Sequence, residues 1–124
     1  MTDLIVAGAD GTEKKLAIHS TAATSSVYQR IFKREFNADV DSITSNGGNA
    51  AVVQDVLPKV FYVWNLLSEY GKSLSMPEIL GKTENDYIEW LMEYAVLSFV
   101  SETAVEIFAE EYSKGTKTNS TAKN

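Results

Sequence analysis

Few side chains in this chain carry chemistry of their own. His19 is the single histidine, and there is no cysteine. One imidazole without a thiolate or a carboxylate pair nearby is a poor metal-ligand set. Its place at the end of a predicted strand makes it a structural or surface residue. Ser20, Ser25 and Ser26 stand outside any nucleophile-elbow pattern, and a Ser-His-acid arrangement would have to draw on His19 alone. Gly47-Gly48, in the run NGGN, lacks the spacing of a phosphate-cradling loop and the lysine that follows one. It reads as a flexible linker. No pattern predicts catalysis, a bound metal or a cofactor.

Charge is more informative. Net charge is −6, and it is unevenly spread. Residues 78–111 hold nine acids against Lys82 alone, a balance of −8. Residues 24–36 carry Arg30, Lys33 and Arg34 against Glu35, a balance of +2. Glu89 and Glu93 are four apart, and Glu102, Glu106 and Glu110 continue at that spacing. Like charges so placed on a helix oppose each other by a few tenths of a kcal/mol, so roughly a solvated outer face is expected. The same face could also meet a basic partner. Arg30, Lys33 and Arg34 are the matching basic set, which makes them, with Glu89, Glu93, Glu102 and Glu106, candidates for electrostatic self-assembly. An acidic bulk argues against direct binding to nucleic acid.

Apolar residues make the third candidate surface. Val63, Leu66 and Tyr70 form a second stripe on a helix that already has a core stripe. Trp90 and Tyr94, four apart, lie off the Ile88, Leu91 and Ala95 face of a later helix. Together these five offer a contact for a client or a second subunit, because exposed apolar patches usually mark binding.

These residues need elements to hold them. At 124 residues, with 44% apolar content, the chain fits one domain that can bury a core without disulfides. The start, MTDLIVAGADG, has neither a basic region nor a long apolar run, so it reads as neither signal peptide nor membrane anchor. Residues 4–19 predict a hairpin around Asp10-Gly11, whose edges offer a subunit-pairing site. A helix capped by Thr24 or Ser25 runs to about Phe36. Residues 37–49 are expected as a loop, the most mobile internal segment. Residues 50–70 form the central helix, with Val53, Val56, Leu57, Val60, Phe61, Trp64 and Leu67 as its core stripe. Pro58 inside it predicts a kink near Leu57, or else a fresh start at Pro58 after a shorter helix. Gly71 and Lys72 end that helix, and Pro77 opens a short one. Thr83, with Asp86 three positions on, has the form of a cap. A helix follows at 84–97, with Tyr87, Ile88, Leu91, Met92 and Ala95 inward. Another spans 101–113, with Val105, Phe108 and Tyr112 inward. The two are either continuous or bent near Ser98 to Ser101. Lys114-Gly115 is expected to stop the last helix and leave 114–124 as a disordered polar tail. The fold class expected is α+β, mainly α: a short N-terminal hairpin, then four to five helices in one domain over 1–113.

That order resembles the tail assembly chaperones of long-tailed bacteriophages and prophages, especially those of Gram-positive hosts. The resemblance rests on the strand pair around Asp10-Gly11, the helix VYQRIFKREF, the stretch AVVQDVLPKVFYVWNLL, and the late pair DYIEWLMEYA and ETAVEIFAEEYSK. It covers about residues 1–113. It implies a non-enzymatic chaperone that binds the tape measure protein, keeps it soluble and promotes assembly of tail-tube subunits around it. It also implies a homo-oligomer working in the host cell cytoplasm, away from any membrane and absent from the finished virion. A longer, frameshifted form of the same protein is a further implied partner. The alternative is a tail or head completion component retained in the particle.

Overall fold

The computed structural model describes residues 2–45, 49–70 and 74–123, with Thr44 and 115–123 described by backbone alone. It is a mainly helical α+β fold: an N-terminal antiparallel hairpin, then helices. The hairpin pairs β1 (Thr2–Ala7) with β2 (Glu13–Ile18), Leu4 opposite Leu16 and Ala7 opposite Glu13. Its turn depends on Gly11, at φ +89°, a conformation open to glycine and strained for other residues. Asp10 supports the turn by accepting from the Thr12 main-chain N–H and hydroxyl. Side chains alternate across the strands. Leu4, Val6, Leu16 and Ile18 are buried while Asp3, Ile5 and Lys15 face out.

Helix α1 spans Thr24–Phe32 and stops sooner than expected. Lys33 takes the left-handed conformation at φ 58° and returns its N–H to the Gln29 carbonyl, which closes the helix in the manner usual for glycine. Thr24 is not a cap. Its hydroxyl turns inward, donating to the Thr21 carbonyl at 2.8 Å and accepting from the Trp64 indole N–H at 3.1 Å.

A second helix, α2 (Phe36–Ser45), occupies much of the segment expected to be a loop. Its polar sequence hides the reason it forms. Phe36 and Val40 are buried, and Asp39 is held by the Tyr28 hydroxyl at 2.6 Å and by Arg34 at 2.8 Å. Tertiary contacts, not helix propensity, stabilise it. The expected mobility of Gly47-Gly48 concerns positions outside the described residues.

Helix α3 (Ala50–Tyr70) is the centre of the molecule. It is assigned as one helix through Pro58, so the reading with a fresh start there is set aside. Proline removes one main-chain donor and crowds the preceding turn. One turn is indeed reinforced from outside the ladder, where the Lys59 ammonium donates to both the carbonyl and the carboxylate of Asp55. From Val56 to Leu67 every residue is buried, including Lys59 and Asn65. The expected helix end at Gly71-Lys72 lies outside the described residues.

Two short helices follow. Both start with a reciprocal capping box: Ser75 with Glu78 for α4 (Met76–Leu80), and Thr83 with Asp86 for α5 (Glu84–Leu91). The latter is the cap expected from the sequence. Helix α5 does not reach residue 97. Residues 93–95 instead run beside the hairpin, Tyr94 bridging to Gly8, and a single 3-10 turn (Val96–Phe99) carries Phe99 into the core. Helix α6 spans Glu102–Lys123, so its backbone passes Lys114-Gly115 and enters the segment expected as a disordered tail. One glycine in a helix costs about 1 kcal/mol, too little to force a stop by itself.

An aromatic circuit ties the helices together. It runs from Tyr28 through Phe32, Tyr87, Trp90 and Phe99 to Phe61, and returns by Trp64, Phe108, Tyr112 and Phe36. Neighbouring ring centroids lie 5.0–6.2 Å apart, the range in which such rings attract beyond their buried area.

Candidate functional site

The orientation of α5 decides what surface the molecule shows. The periodicity of the sequence places Ile88, Met92 and Ala95 inward. Instead Ile88 is 48% and Met92 74% exposed, and Ala95 is exposed as well. The inward positions are Tyr87, Trp90 and Leu91. The aromatic circuit explains the rotation. Tyr87 meets Phe32 and Tyr62, and Trp90 meets Tyr62 and Phe99. Flat rings gain more from that packing than Ile88 or Met92 would. Val105 on α6 is likewise exposed, with Ala104 buried in its place.

Between β2, α3 and α5 this leaves an open groove of about 420 Å³. Tyr62, Leu66, Tyr70, Trp90 and Tyr94 contribute its apolar surface. Lys14, Lys15 and Lys82 supply cations around it, and Glu69, Asp86, Glu89 and Glu93 supply carboxylates. Two of the lysines lie over aromatic faces, Lys14 at 5.5 Å from the Tyr94 ring centre and Lys82 at 5.9 Å from that of Tyr70. Such contacts are worth about 0.5–1 kcal/mol at exposed sites, weak enough for a guest to replace.

Burial raises the Tyr62 hydroxyl well above its ordinary value, helped by the Asp86 charge. Burial, then the charges of Glu93 and Glu69, raises that of Tyr94. Both hydroxyls stay protonated at neutral pH. They can donate hydrogen bonds to a guest, but they do not act as bases. Asp86 is held below the ordinary carboxylate range by its hydrogen bonds with Thr83, so it remains a fixed negative charge on the rim.

Six of the candidate residues meet around this groove: Leu66, Tyr70, Glu89, Trp90, Glu93 and Tyr94. Val63 does not. It is fully buried, and Leu66 is only 4% exposed, so neither can supply most of a contact. In the sequence that side of α3 has no evident neighbour. The hairpin takes it, with Asn65 donating to the Ala17 carbonyl and the His19 N–H donating to the Trp64 carbonyl. Tyr70, 39% exposed, is the part of the stripe that remains available.

The electrostatic set is divided. Glu102 and Glu106 are exposed on α6 and do not line the groove. Arg30 and Lys33 are exposed at the end of α1. Arg34 is committed within the chain: it binds Asp39 and, at 3.0 Å, Asp55. It therefore clasps α1, α2 and α3 together and is unsuited to meeting a neighbour. Sequence reasoning missed Lys14, Lys15, Tyr62 and Lys82. For Lys14 and Lys15 no signal distinguishes a groove rim from an ordinary exposed strand.

Among the described residues no group of three or more His, Asp or Glu side chains is arranged to hold a metal, and no helix is long and apolar enough to cross a membrane. No protein-family model, curated protein or solved structure matches the chain.

Proposed function

We propose that this chain is a non-enzymatic assembly chaperone that holds an apolar segment of a long client in the groove between β2, α3 and α5. The observation that carries the reading is the groove itself, in which the rings of Tyr70, Trp90 and Tyr94 stand among lysines and carboxylates. Its volume lies within the range of about 300–1,000 Å³ typical of sites that hold a ligand. Tyrosine and tryptophan offer large contact areas with few rotatable bonds, so binding orders little. Lysines resting on Tyr70 and Tyr94 keep those faces covered until a guest displaces them. The net charge of −6 keeps such a surface in solution.

The resemblance to phage tail assembly chaperones supplies the client class, a tape measure protein, and the setting, the host cytoplasm before tails are complete. A hairpin followed by a helical bundle agrees with that resemblance. Co-expression tests the reading. A tape measure protein that aggregates alone stays in the soluble fraction beside the wild-type chain, and Tyr70→Ala together with Glu93→Lys reduces that protection. Equal client solubility with and without this chain would defeat the proposal. Recovery of the chain from purified virions by mass spectrometry would favour the alternative, a structural component.

A further inference from the structure

The two edges of the hairpin are treated differently by the rest of the chain. On the β2 side, α3 meets the end of the strand, where Asn65 donates to the Ala17 carbonyl at 3.1 Å and the His19 N–H reaches the Trp64 carbonyl at 3.4 Å, and the remaining outward positions, Glu13 and Lys15, carry charged side chains that guard an edge. On the β1 side, closure is local. The Ala7 N–H donates to the Ser98 hydroxyl oxygen at 3.0 Å, the Ala7 carbonyl accepts from Ala95 at 2.9 Å, and the Ala9 N–H donates to the Glu93 carbonyl at 2.8 Å.

These bonds fix which way the main chain of β1 points. In an antiparallel pair each residue turns its N–H and its C=O to the same side, and successive residues alternate. Ala7 turns both away from β2, so Ile5 and Asp3 do so too. Ala17, the partner of Asp3, agrees, since its carbonyl faces Asn65 and not β1. Among the described residues, nothing beyond the hairpin hydrogen-bonds to the main chain of Asp3 or Ile5. Both residues are exposed, the apolar Ile5 side chain at 53%. An exposed apolar residue on an unpaired strand edge is the feature that soluble proteins usually avoid.

We propose that Asp3 and Ile5 form the pairing edge for β1 of a second copy of this chain, giving a four-stranded antiparallel sheet across a two-fold axis. Register follows from what is already occupied. Asp3 opposite the partner's Ile5, repeated by symmetry, satisfies all the open groups with about four main-chain hydrogen bonds. Setting Ile5 opposite the partner's Ile5 would pair Ile5 alone and leave Asp3 facing Ala7, whose groups are taken, so half as many main-chain bonds would form. Setting Asp3 opposite the partner's Asp3 would oppose like charges.

Charge selects the same register. Lys15 sits opposite Ile5 on the outward face. In the proposed sheet Ile5 lies between Lys15 and the partner's Asp3, with strands about 4.8 Å apart. The Lys15 stem crosses Ile5, covers its apolar surface and brings the ammonium to the partner's Asp3. The two-fold axis makes this contact twice.

Sedimentation equilibrium on the full chain tests the proposal, with circular dichroism to confirm folding of each variant. The expected result is a dimer in the wild type. Ile5→Pro removes an outward N–H and no bond of the hairpin, and it should raise the dimer dissociation constant about tenfold or more. Asp3→Lys leaves the backbone intact and should weaken the dimer by opposing Lys15. Combining Asp3→Lys with Lys15→Asp should restore it. A wild-type chain that stays monomeric overturns the proposal. So does a dimer that neither Asp3→Lys nor the restoring pair moves. If Ile5→Pro fails to fold, the charge exchange between positions 3 and 15 is sufficient to support or overturn the pairing.

Discussion

Asp39 is the residue on which α2 depends, and its removal gives a worked test of the fold. Its carboxylate accepts the Tyr28 hydroxyl at 2.6 Å and the Arg34 guanidinium at 2.8 Å. Asp39→Ala removes both contacts. Tyr28 is fully buried, and leaving its hydroxyl without an acceptor costs about 1–3 kcal/mol. The Arg34 side chain is 38% exposed and keeps Asp55, so solvent screening limits its loss to about 0.5 kcal/mol. The expected destabilisation is about 2–3 kcal/mol, a fall in melting temperature of roughly 8–12 °C for a chain of this length. Urea denaturation followed by circular dichroism measures it. Repeating Asp39→Ala in the Tyr28→Phe background separates the contributions, since the orphaned hydroxyl is then gone and the two losses overlap by about 1 kcal/mol or more. A loss below about 0.5 kcal/mol, the ordinary effect of a surface change, or additive losses in the cycle, would refute the claim that this clasp holds α2.

Other expectations follow from single positions. Burial works against the Asp55 charge, but Lys59 and Arg34 outweigh it and hold the carboxyl below its ordinary value. A carboxyl lowered on folding adds stability above its unfolded value, and that stability is lost as pH falls through its folded value. Asp55→Asn should therefore flatten the acid limb of stability measured from about pH 5 down to about pH 2, by less than about 1 kcal/mol because Asp55 is half exposed. Gly11→Ala should cost about 1 kcal/mol in urea denaturation, all of it from the backbone, since an added methyl group would meet nothing within 4 Å. Lys33→Gly, at the other positive φ, should stabilise by about 0.5–1 kcal/mol in the same assay.

The hairpin, the central helix and the Thr83 cap were legible because each is written locally. Asp10-Gly11 between β-prone runs, a long apolar run over residues 50–70, and a cap with its partner three positions on are short-range patterns. Helix α2 was not legible. Its stability comes from Tyr28 and Arg34, which reach Asp39 from outside the segment. The α1 stop at Lys33 was hidden because a non-glycine residue takes the left-handed position. The face of α5 was misjudged because periodicity counts Ile88 and Met92 as equal to Tyr87 and Trp90, whereas the ring contacts made by other helices favour the aromatics. The groove was half legible for the same reason. Its aromatics stood out as an excess of apolar surface, while Lys14, Lys15 and Lys82 became part of a site only once β2 and α5 were brought together.

The Ala7–Ser98 bond has a consequence for synthesis. Ala7 emerges early, but the hydroxyl that receives its N–H is made 91 residues later, and Ser20 waits an equal span for the Glu111 carbonyl. At translation rates of about 5–20 residues per second, the outer edge of β1 is without its own chain's cover for roughly 5–20 s. During that interval all three outward positions of β1, Asp3, Ile5 and Ala7, are open. An open edge of that kind is a template for pairing with another chain until Ser98 has been made and brought beside Ala7.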